Sequence, residues 1–193
     1  MSESAPSESA TSESLVALMR RVTVGVYVIG VCDGGKANAF TACSVMPVSF
    51  APVLVAIAVG QDHASLPMLR ASGHFSVNVL GSEQLQLARH FGASSAREHD
   101  KLAGIAWRAD SSGAPLLEAA LAWLACEVQQ VTRAGDHELF IARLTHGSIR
   151  LPDALPMTYA QTGNMDGSAD LYGQRRVSTA VSAHDRLSTP EHP

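Results

Sequence analysis

The sequence is poor in positive charge and has no basic cluster. It carries 14 Lys and Arg residues against 18 Asp and Glu in 193 residues, a formal net charge of -4. No basic run is longer than the pairs Arg20–Arg21 and Arg175–Arg176. Proteins that bind nucleic acid use many Lys and Arg contacts to the phosphate backbone. The composition therefore argues against nucleic acid as a partner.

Cysteine is also scarce. The sequence has three cysteines, an odd number, at positions Cys32, Cys43 and Cys126, and none of them forms a CxxC motif. The eight histidines form no HxH or HExxH pattern. Disulfide frameworks and zinc sites need such spacings. We expect no disulfide, no bound metal and a reducing, cytoplasmic location.

Long apolar runs are missing too. No stretch reaches the length of about 18 residues that a membrane-spanning helix needs, and the first residues carry Glu where a signal peptide carries basic residues. We therefore expect no membrane partner. Residues 1–14 and 174–193 are polar and aperiodic, which predicts two disordered tails around one folded domain at 15–173.

Within that domain, short runs of β-branched residues predict strands. Val22–Val31 is followed by the turn Asp33–Gly35, and Asp-Gly between β-branched runs predicts an antiparallel hairpin. Further strands are predicted at Pro52–Val59, His74–Leu80 and Asp136–Arg150. The pattern is typical of a mainly β protein.

Three segments have helical features. The sequence SLPMLRAS predicts a short helix that begins at Ser65, and SEQLQLARHF predicts another with Ser82 as its N-cap. In LLEAALAWLACEVQQV, apolar residues recur at helical spacing, and the Ala-rich composition also favours helix. Periodicity alone thus predicts a third helix.

Small polar residues interrupt the stretch from Asn38 to Gly60, which otherwise consists of apolar strand residues. A core made only of strands would carry Val or Ile at several positions that are occupied here by Asn38, Thr41, Cys43 and Ser44. An unpaired buried hydroxyl or amide costs roughly 1–3 kcal/mol. These side chains therefore bond either to neighbouring strands or to a ligand.

Five segments in order resemble the short-chain flavin reductase family, the reductase components of two-component monooxygenases. They are GVYVIG (25–30), NAFTACSVMPVSFAPVLVAI (38–57), HFSVNVLGSEQLQLARHFG (74–92), DKLAG (100–104) and GDHELFIARL (135–144). The resemblance implies an FMN-binding split β-barrel, mainly β with flanking helices. It also implies that the Ala-rich segment is a strand buried on both faces, with Leu121, Trp123 and Ala125 on one face and Leu124, Cys126 and Val128 on the other.

The resemblance further implies a flavin site in which strand 38–44 lines the isoalloxazine and ribityl chain. The phosphate is expected where the strand at 52–59 leads into the next helix, with His63 and Ser65 as ligands and Lys101 or Arg97 as counter-charges. The implied flavin-binding residues are Asn38, Ala39, Phe40, Thr41, Cys43, Ser44, His63, Ser65, Asn78, Lys101 and Tyr159. Three alternatives stay open: Ser65 is only an N-cap, Lys101 is only a solvated surface charge, and Cys43 only packs.

The turn Gly135–His137 resembles the Gly-Asp-His turn of the family, whose histidine lies near the nicotinamide. His137, with Asp136, is therefore implied as a positioning residue for hydride transfer from NADH or NADPH to FMN or FAD. The alternative is a plain hairpin turn in which Asp136 accepts backbone hydrogen bonds.

The resemblance implies an NAD(P)H-dependent flavin reductase that forms a homodimer and supplies reduced flavin to a monooxygenase partner. Two other functions fit the same fold: an FMN-binding electron carrier or sensor, and a flavoenzyme acting directly on an organic substrate.

Overall fold

The structure is a computed structural model that describes residues 19, 21–93, 100–163 and 165. The chain divides into two units, and the larger one, Val22–Asp166, contains every element given below. The smaller unit consists of residues 1–21 and 167–193, of which only Met19 and Arg21 are described. The predicted tails and Arg97 lie outside the described residues, so the domain limits at 15 and 173 stay a prediction.

Seven antiparallel strands form one sheet, in the spatial order β2-β1-β5-β8-β9-β4-β3. A separate two-stranded sheet pairs β6 with β7. The strands are β1 Tyr27–Asp33, β2 Lys36–Ala42, β3 Val45–Phe50, β4 Val53–Gly60, β5 His74–Val79, β6 Trp107–Ala109, β7 Pro115–Leu117, β8 Ala122–Ala134 and β9 His137–Ile149. The predicted hairpin is confirmed, with Asp33 opposite Lys36 and positive φ angles of 54° and 80° at Gly34 and Gly35.

The connection between β2 and β3 shows that the large sheet is curled. These strands are its two edges, yet only Cys43 and Ser44 separate them. In a flat sheet of seven strands the edges would lie about 29 Å apart. The chain from Ala42 to Val45 spans at most about 11 Å. The sheet must therefore bend enough to bring the end of β2 next to the start of β3, which agrees with the predicted split barrel.

Two apolar clusters lie on opposite faces of β1. Ile29 and Val31 belong to a cluster that joins residues of β2, β4, β5, β8 and β9, so this cluster fills the concave side. Val26 and Val28 belong to the second cluster, with Phe91 among its members. Because β1 is buried on both faces, its sequence shows no apolar–polar alternation.

The two described helices pack on different sides. Helix α1, Leu66–Ser72, contributes Leu66 and Leu69 to the concave cluster, whereas α2, Leu85–Gly92, contributes Ala88 and Phe91 to the other. The predicted N-cap at Ser82 is wrong. Gln84 occupies the N-cap position, and its side-chain oxygen instead accepts a hydrogen bond from the N–H of Gly81 at 2.8 Å. The helix therefore begins later than its sequence suggests.

The Ala-rich segment is a strand and not a helix. Its 13 residues from Ala122 to Ala134 form β8 and pair with β5 on one side and β9 on the other. The expected burial on both faces holds for Leu121, Ala125 and Cys126, whereas Trp123, Leu124 and Val128 are only half-buried. The strand is exposed from Gln129 onwards. The exposed part extends past β5 and pairs with β9 alone.

Among the described residues, no helix is long and apolar enough to cross a membrane. Within the same residues, no group of three or more His, Cys, Asp or Glu side chains is arranged to hold a metal ion. Cys32, Cys43 and Cys126 are free thiols, and burial together with Asp110 raises the pKa of Cys126 to about 12.

Candidate functional site

Polar side chains from β2 meet the segment between β4 and α1. The Asn38 amide nitrogen donates to Ser65 Oγ at 3.2 Å, and the Ser65 N–H donates to His63 Nδ1 at 3.2 Å. The Phe40 and His63 rings pack with centroids 4.4 Å apart. Ser65 precedes α1 but its side chain makes no capping hydrogen bond, so its hydroxyl serves the contact with β2.

His63 has a defined tautomer in this arrangement. Because Nδ1 accepts the Ser65 N–H, the proton of the neutral ring is on Nε2. Burial, and next the positive charge of Lys101, lower the pKa of His63 below its usual range. His63 is therefore neutral at pH 7 and offers Nε2–H as a donor.

Lys101 is a buried cation whose charge acts on His63. Its residue is 4% exposed, and Nζ donates to the carbonyl of Phe91 at 3.1 Å. His90 Nε2 donates to the backbone carbonyl of Lys101 at 2.7 Å. Both contacts lie at the end of α2, where the carbonyl ends of the helix favour a positive charge. The end of α2 thus fixes Lys101 near His63.

Thr41 connects β2 to the same helix. Its hydroxyl donates to the carbonyl of Ala88 at 2.7 Å, so the Thr41 proton is used within the protein. Ala39 is fully buried in the second cluster. Ala39 and Thr41 therefore lie on the face of β2 that packs against α2, opposite the face on which Phe40 contacts His63.

The Gly135–Asp136 turn joins β8 to β9, with φ of 64° at Gly135. Gln61 connects this turn to the end of β4: its backbone N–H donates to the Asp136 carbonyl at 3.0 Å and its amide to the Gly135 carbonyl at 3.2 Å. His137 Nδ1 lies 2.8 Å from Asp136 Oδ1. Since a carboxylate only accepts, Nδ1 of His137 carries a proton and Nε2 faces away from Asp136.

Gly60 lies between the two histidines. It is the strand partner of His137, and a Cβ atom placed on it would lie 3.9 Å from His137 Nε2. Its carbonyl accepts the N–H of His63 at 3.0 Å. The structure therefore brings His137, which is distant in the sequence, to the same end of β4 as His63 and Ser65.

Asn78 is placed elsewhere. It is fully buried, and its amide nitrogen donates to the carbonyls of Val28 at 3.0 Å and Pro115 at 3.1 Å. Its Oδ1 accepts the N–H of Leu117 at 2.7 Å. These bonds join β5 to β1 and β7 and include none of the other predicted site residues.

Cys43, Ser44 and Tyr159 line other surfaces. Ser44 is exposed, and its carbonyl accepts the N–H of Ala58 at 3.0 Å. Cys43 and Tyr159 are half-buried against the second cluster. Burial, with a smaller contribution from Cys43, raises the pKa of Tyr27.

Sequence reasoning missed Gly60, Gln61 and an ion pair between Arg70 and Glu138. Gly60–Gln61 directly precedes the predicted phosphate segment, so its position could have indicated a role. The Arg70–Glu138 pair joins residues 68 positions apart, and no local pattern signals it.

Comparison with known proteins finds a matching protein family and several relatives that are named as flavin reductases. The sequence model of the flavin reductase like domain family matches residues 19–168. A flavin reductase of Pseudomonas putida is 30% identical over 145 residues, 72% of this chain and 84% of that protein. The reductase subunit of a flavin-dependent monooxygenase from Mycobacterium tuberculosis is 35% identical over 113 residues, 58% of this chain and 59% of that protein.

A solved structure shows the same fold. The NADH:FAD oxidoreductase of Streptomyces globisporus superposes with a TM-score of 0.71 at 28% identity, covering 84% of this chain and 95% of that one. That protein has also been solved in complex with NAD and FAD fragments.

Proposed function

Because the chain belongs to the flavin reductase-like family, we propose that it is an NAD(P)H-dependent flavin reductase that uses FMN or FAD. The observation that carries the proposal is the meeting of two groups at one end of β4. One is the group of polar side chains around His63, in which Ser65 and Lys101 are buried and Asn38 and His63 are half-buried, and the other is the half-exposed Gly135–His137 turn. The reduced flavin would serve a partner monooxygenase.

The group around His63 has the chemistry that a phosphate needs. Lys101 supplies a positive charge, neutral His63 supplies Nε2–H, and Asn38 and Ser65 supply an amide and a hydroxyl. A phosphate oxygen accepts hydrogen bonds from all of these groups. We assign these four residues to the flavin phosphate, and Phe40 to the adjoining wall.

The Gly135–His137 turn would receive the nicotinamide. A flavin bound there would supply the acceptor for the hydride of the nicotinamide. The chain itself has to orient the two rings and exclude water. Asp136 sets the tautomer of His137, whose ring lies next to Gly60. His137 would then position the nicotinamide.

We propose a homodimer on the basis of an exposed apolar edge. β3 is an edge strand of the sheet, with Met46 52% and Phe50 95% exposed, and Val53 at the start of β4 is 48% exposed. Apolar edge strands on a folded surface usually pair or are covered. Light scattering over a concentration series tests this, and a constant monomer mass would contradict it. We also propose a cytoplasmic location, supported by the three free thiols.

Flavin binding and flavin reduction test the enzyme. The purified protein should co-elute with FMN or FAD on gel filtration, and NADH or NADPH should bleach the long-wavelength flavin band with saturable stopped-flow kinetics. If dithionite reduces the bound flavin but neither nicotinamide does, the electron carrier or the substrate-oxidising flavoenzyme is the better function. Elution of all flavin as free ligand would exclude all three.

A further inference from the structure

An ion pair joins helix α1 to the start of β9. Arg70, in the last turn of α1, donates from Nε to Glu138 Oε2 at 2.8 Å, and its Nη2 contacts Oε1. The guanidinium therefore engages both carboxylate oxygens. The Glu138 side chain is only 12% exposed, whereas that of Arg70 is 55% exposed. Such two-point contacts fix the angle as well as the distance between their partners.

Each residue of this ion pair is close in sequence to one half of the site. Glu138 directly follows His137, and Arg70 is in the helix that begins just after Ser65. Arg133 lies opposite Glu138 across the hairpin, and its Nε donates to the Gly135 carbonyl at 3.4 Å. Arg70, with a smaller contribution from Arg133, holds the pKa of Glu138 below its usual range, so the carboxylate is ionised at neutral pH.

We propose that Arg70 and Glu138 are positioning residues for hydride transfer. Their ion pair fixes the Gly135–His137 turn against α1 and so sets the spacing between the nicotinamide and flavin-phosphate halves of the site. The proposal rests on the proposed reductase function and names residues that neither the motifs nor the family resemblance indicated.

Removal of the pair should affect reduction more than binding. Hydride transfer requires the donor and acceptor atoms to be held in near contact, so a small displacement of the turn lowers its rate. The phosphate donors Lys101 and Asn38 are fixed by contacts that do not involve Arg70 or Glu138. Flavin affinity should therefore stay nearly constant.

The experiment compares this pair with a second pair of the same kind. Arg143 and Glu127 form an ion pair between β9 and β8, with side chains 50% and 37% exposed, and both residues lie further along the hairpin from the Gly135–Asp136 turn. The test variants are Arg70→Met, Glu138→Gln and their combination, and the matched controls are Arg143→Met and Glu127→Gln. For each, stopped-flow mixing of flavin-loaded protein with NADH or NADPH gives the limiting reduction rate, and fluorescence titration gives the flavin Kd.

Both single test variants should lower the limiting rate about fivefold, and the double variant should lower it no further, because each single change already breaks the pair. The flavin Kd should change less than about twofold, and the control variants should match the wild type. Arg70→Lys, which keeps the charge but not the two-point contact, should recover part of the rate.

Several outcomes would overturn the proposal. If Arg70→Met lowered the limiting reduction rate and Glu138→Gln did not, Arg70 would act on the nicotinamide directly. Equal losses in the control pair, or a parallel loss of flavin affinity and thermal stability, would mean a structural role. Wild-type protein that neither nicotinamide reduces would refute the proposed function as well, whereas an active wild type with unchanged variants would refute the positioning role alone.

Discussion

The two halves of the site differ in how they are built. Ser65 and Lys101 are 2% and 4% exposed, and their polar groups bond to other parts of the protein. Asp136 and His137 have side chains 54% and 46% exposed on a turn. A buried group of donors suits a ligand part that must be held firmly, and an exposed turn suits one that arrives and leaves in each cycle. We therefore expect substitutions around Ser65 and Lys101 to change flavin affinity, and substitutions in the Gly135–His137 turn to change the rate of flavin reduction.

The largest expected effect is on the buried half. Lys101→Met removes the only cation assigned to the phosphate, and a hydrogen bond to a charged group is worth about 1.5–3 kcal/mol. FMN affinity should therefore fall by roughly tenfold to a hundredfold in a fluorescence titration. Riboflavin, which lacks the phosphate, is the control ligand. An equal loss for riboflavin and FMN would show that Lys101 supports the site only through its packing.

On the exposed half, His137→Ala should slow flavin reduction and leave flavin affinity nearly unchanged. A positioning residue contributes less than a general acid or base, so we expect a loss of about tenfold in the limiting rate. Stopped-flow reduction and flavin titration of the same preparation give both numbers. If affinity falls as much as rate does, the two halves are not separate in function.

Thr41→Val tests the contact between β2 and α2, next to the first half of the site. The substitution removes the hydrogen bond to the Ala88 carbonyl and thus loosens the contact between β2 and α2. We expect Tm to fall by about 2–4 °C and flavin affinity to fall by about threefold. Thermal unfolding with and without FMN measures both. An unchanged Tm with a large loss of affinity would mean instead that the hydroxyl contacts the flavin.

The smallest expected effect is a pH dependence of stability at His63. Burial and Lys101 lower its folded-state pKa below the unfolded value of about 6.5, so above that pH the ring is neutral in both states. As the pH falls below about 6.5, the unfolded chain takes up the proton first, and stability is lost until the folded pKa is reached. His63→Gln should therefore lose less Tm between about pH 7.5 and 5.5 than the wild type, by about 1–2 °C. Equal slopes would contradict a buried neutral ring.

The fold could largely be predicted from the sequence because its signals are local. Asp33–Gly35 specifies a hairpin, and the β-branched runs give β4, β5 and β9 close to their observed limits. The Ala-rich segment was ambiguous because helix propensity and apolar spacing both favoured the wrong state, and pairing with two neighbours overrode them. Ser82 failed as an N-cap since the Gln84 side chain bonds back to Gly81, a contact that a cap motif does not include.

The site could be predicted only where its residues belong to a recognisable segment. Hydrogen bonds do join Asn38, Ser65 and His63, and the charge of Lys101 acts on His63. Asn78 is also a buried polar strand residue, but its side chain bonds to the backbone of neighbouring strands. Sequence alone does not separate a polar residue that faces a ligand from one that bonds to strand backbone.

The β8–β9 hairpin also has a consequence for how the chain folds. Its strands have 13 residues each and only Gly135 and Asp136 between them, so the turn closes at small entropic expense and forms from contacts local in sequence. The contact of Asn38 with Ser65 and the approach of Lys101 to His63 require distant segments to assemble first. During refolding, the Gly135–His137 turn should gain amide hydrogen-exchange protection before Asn38, Ser65 and Lys101 do, and flavin should bind only late.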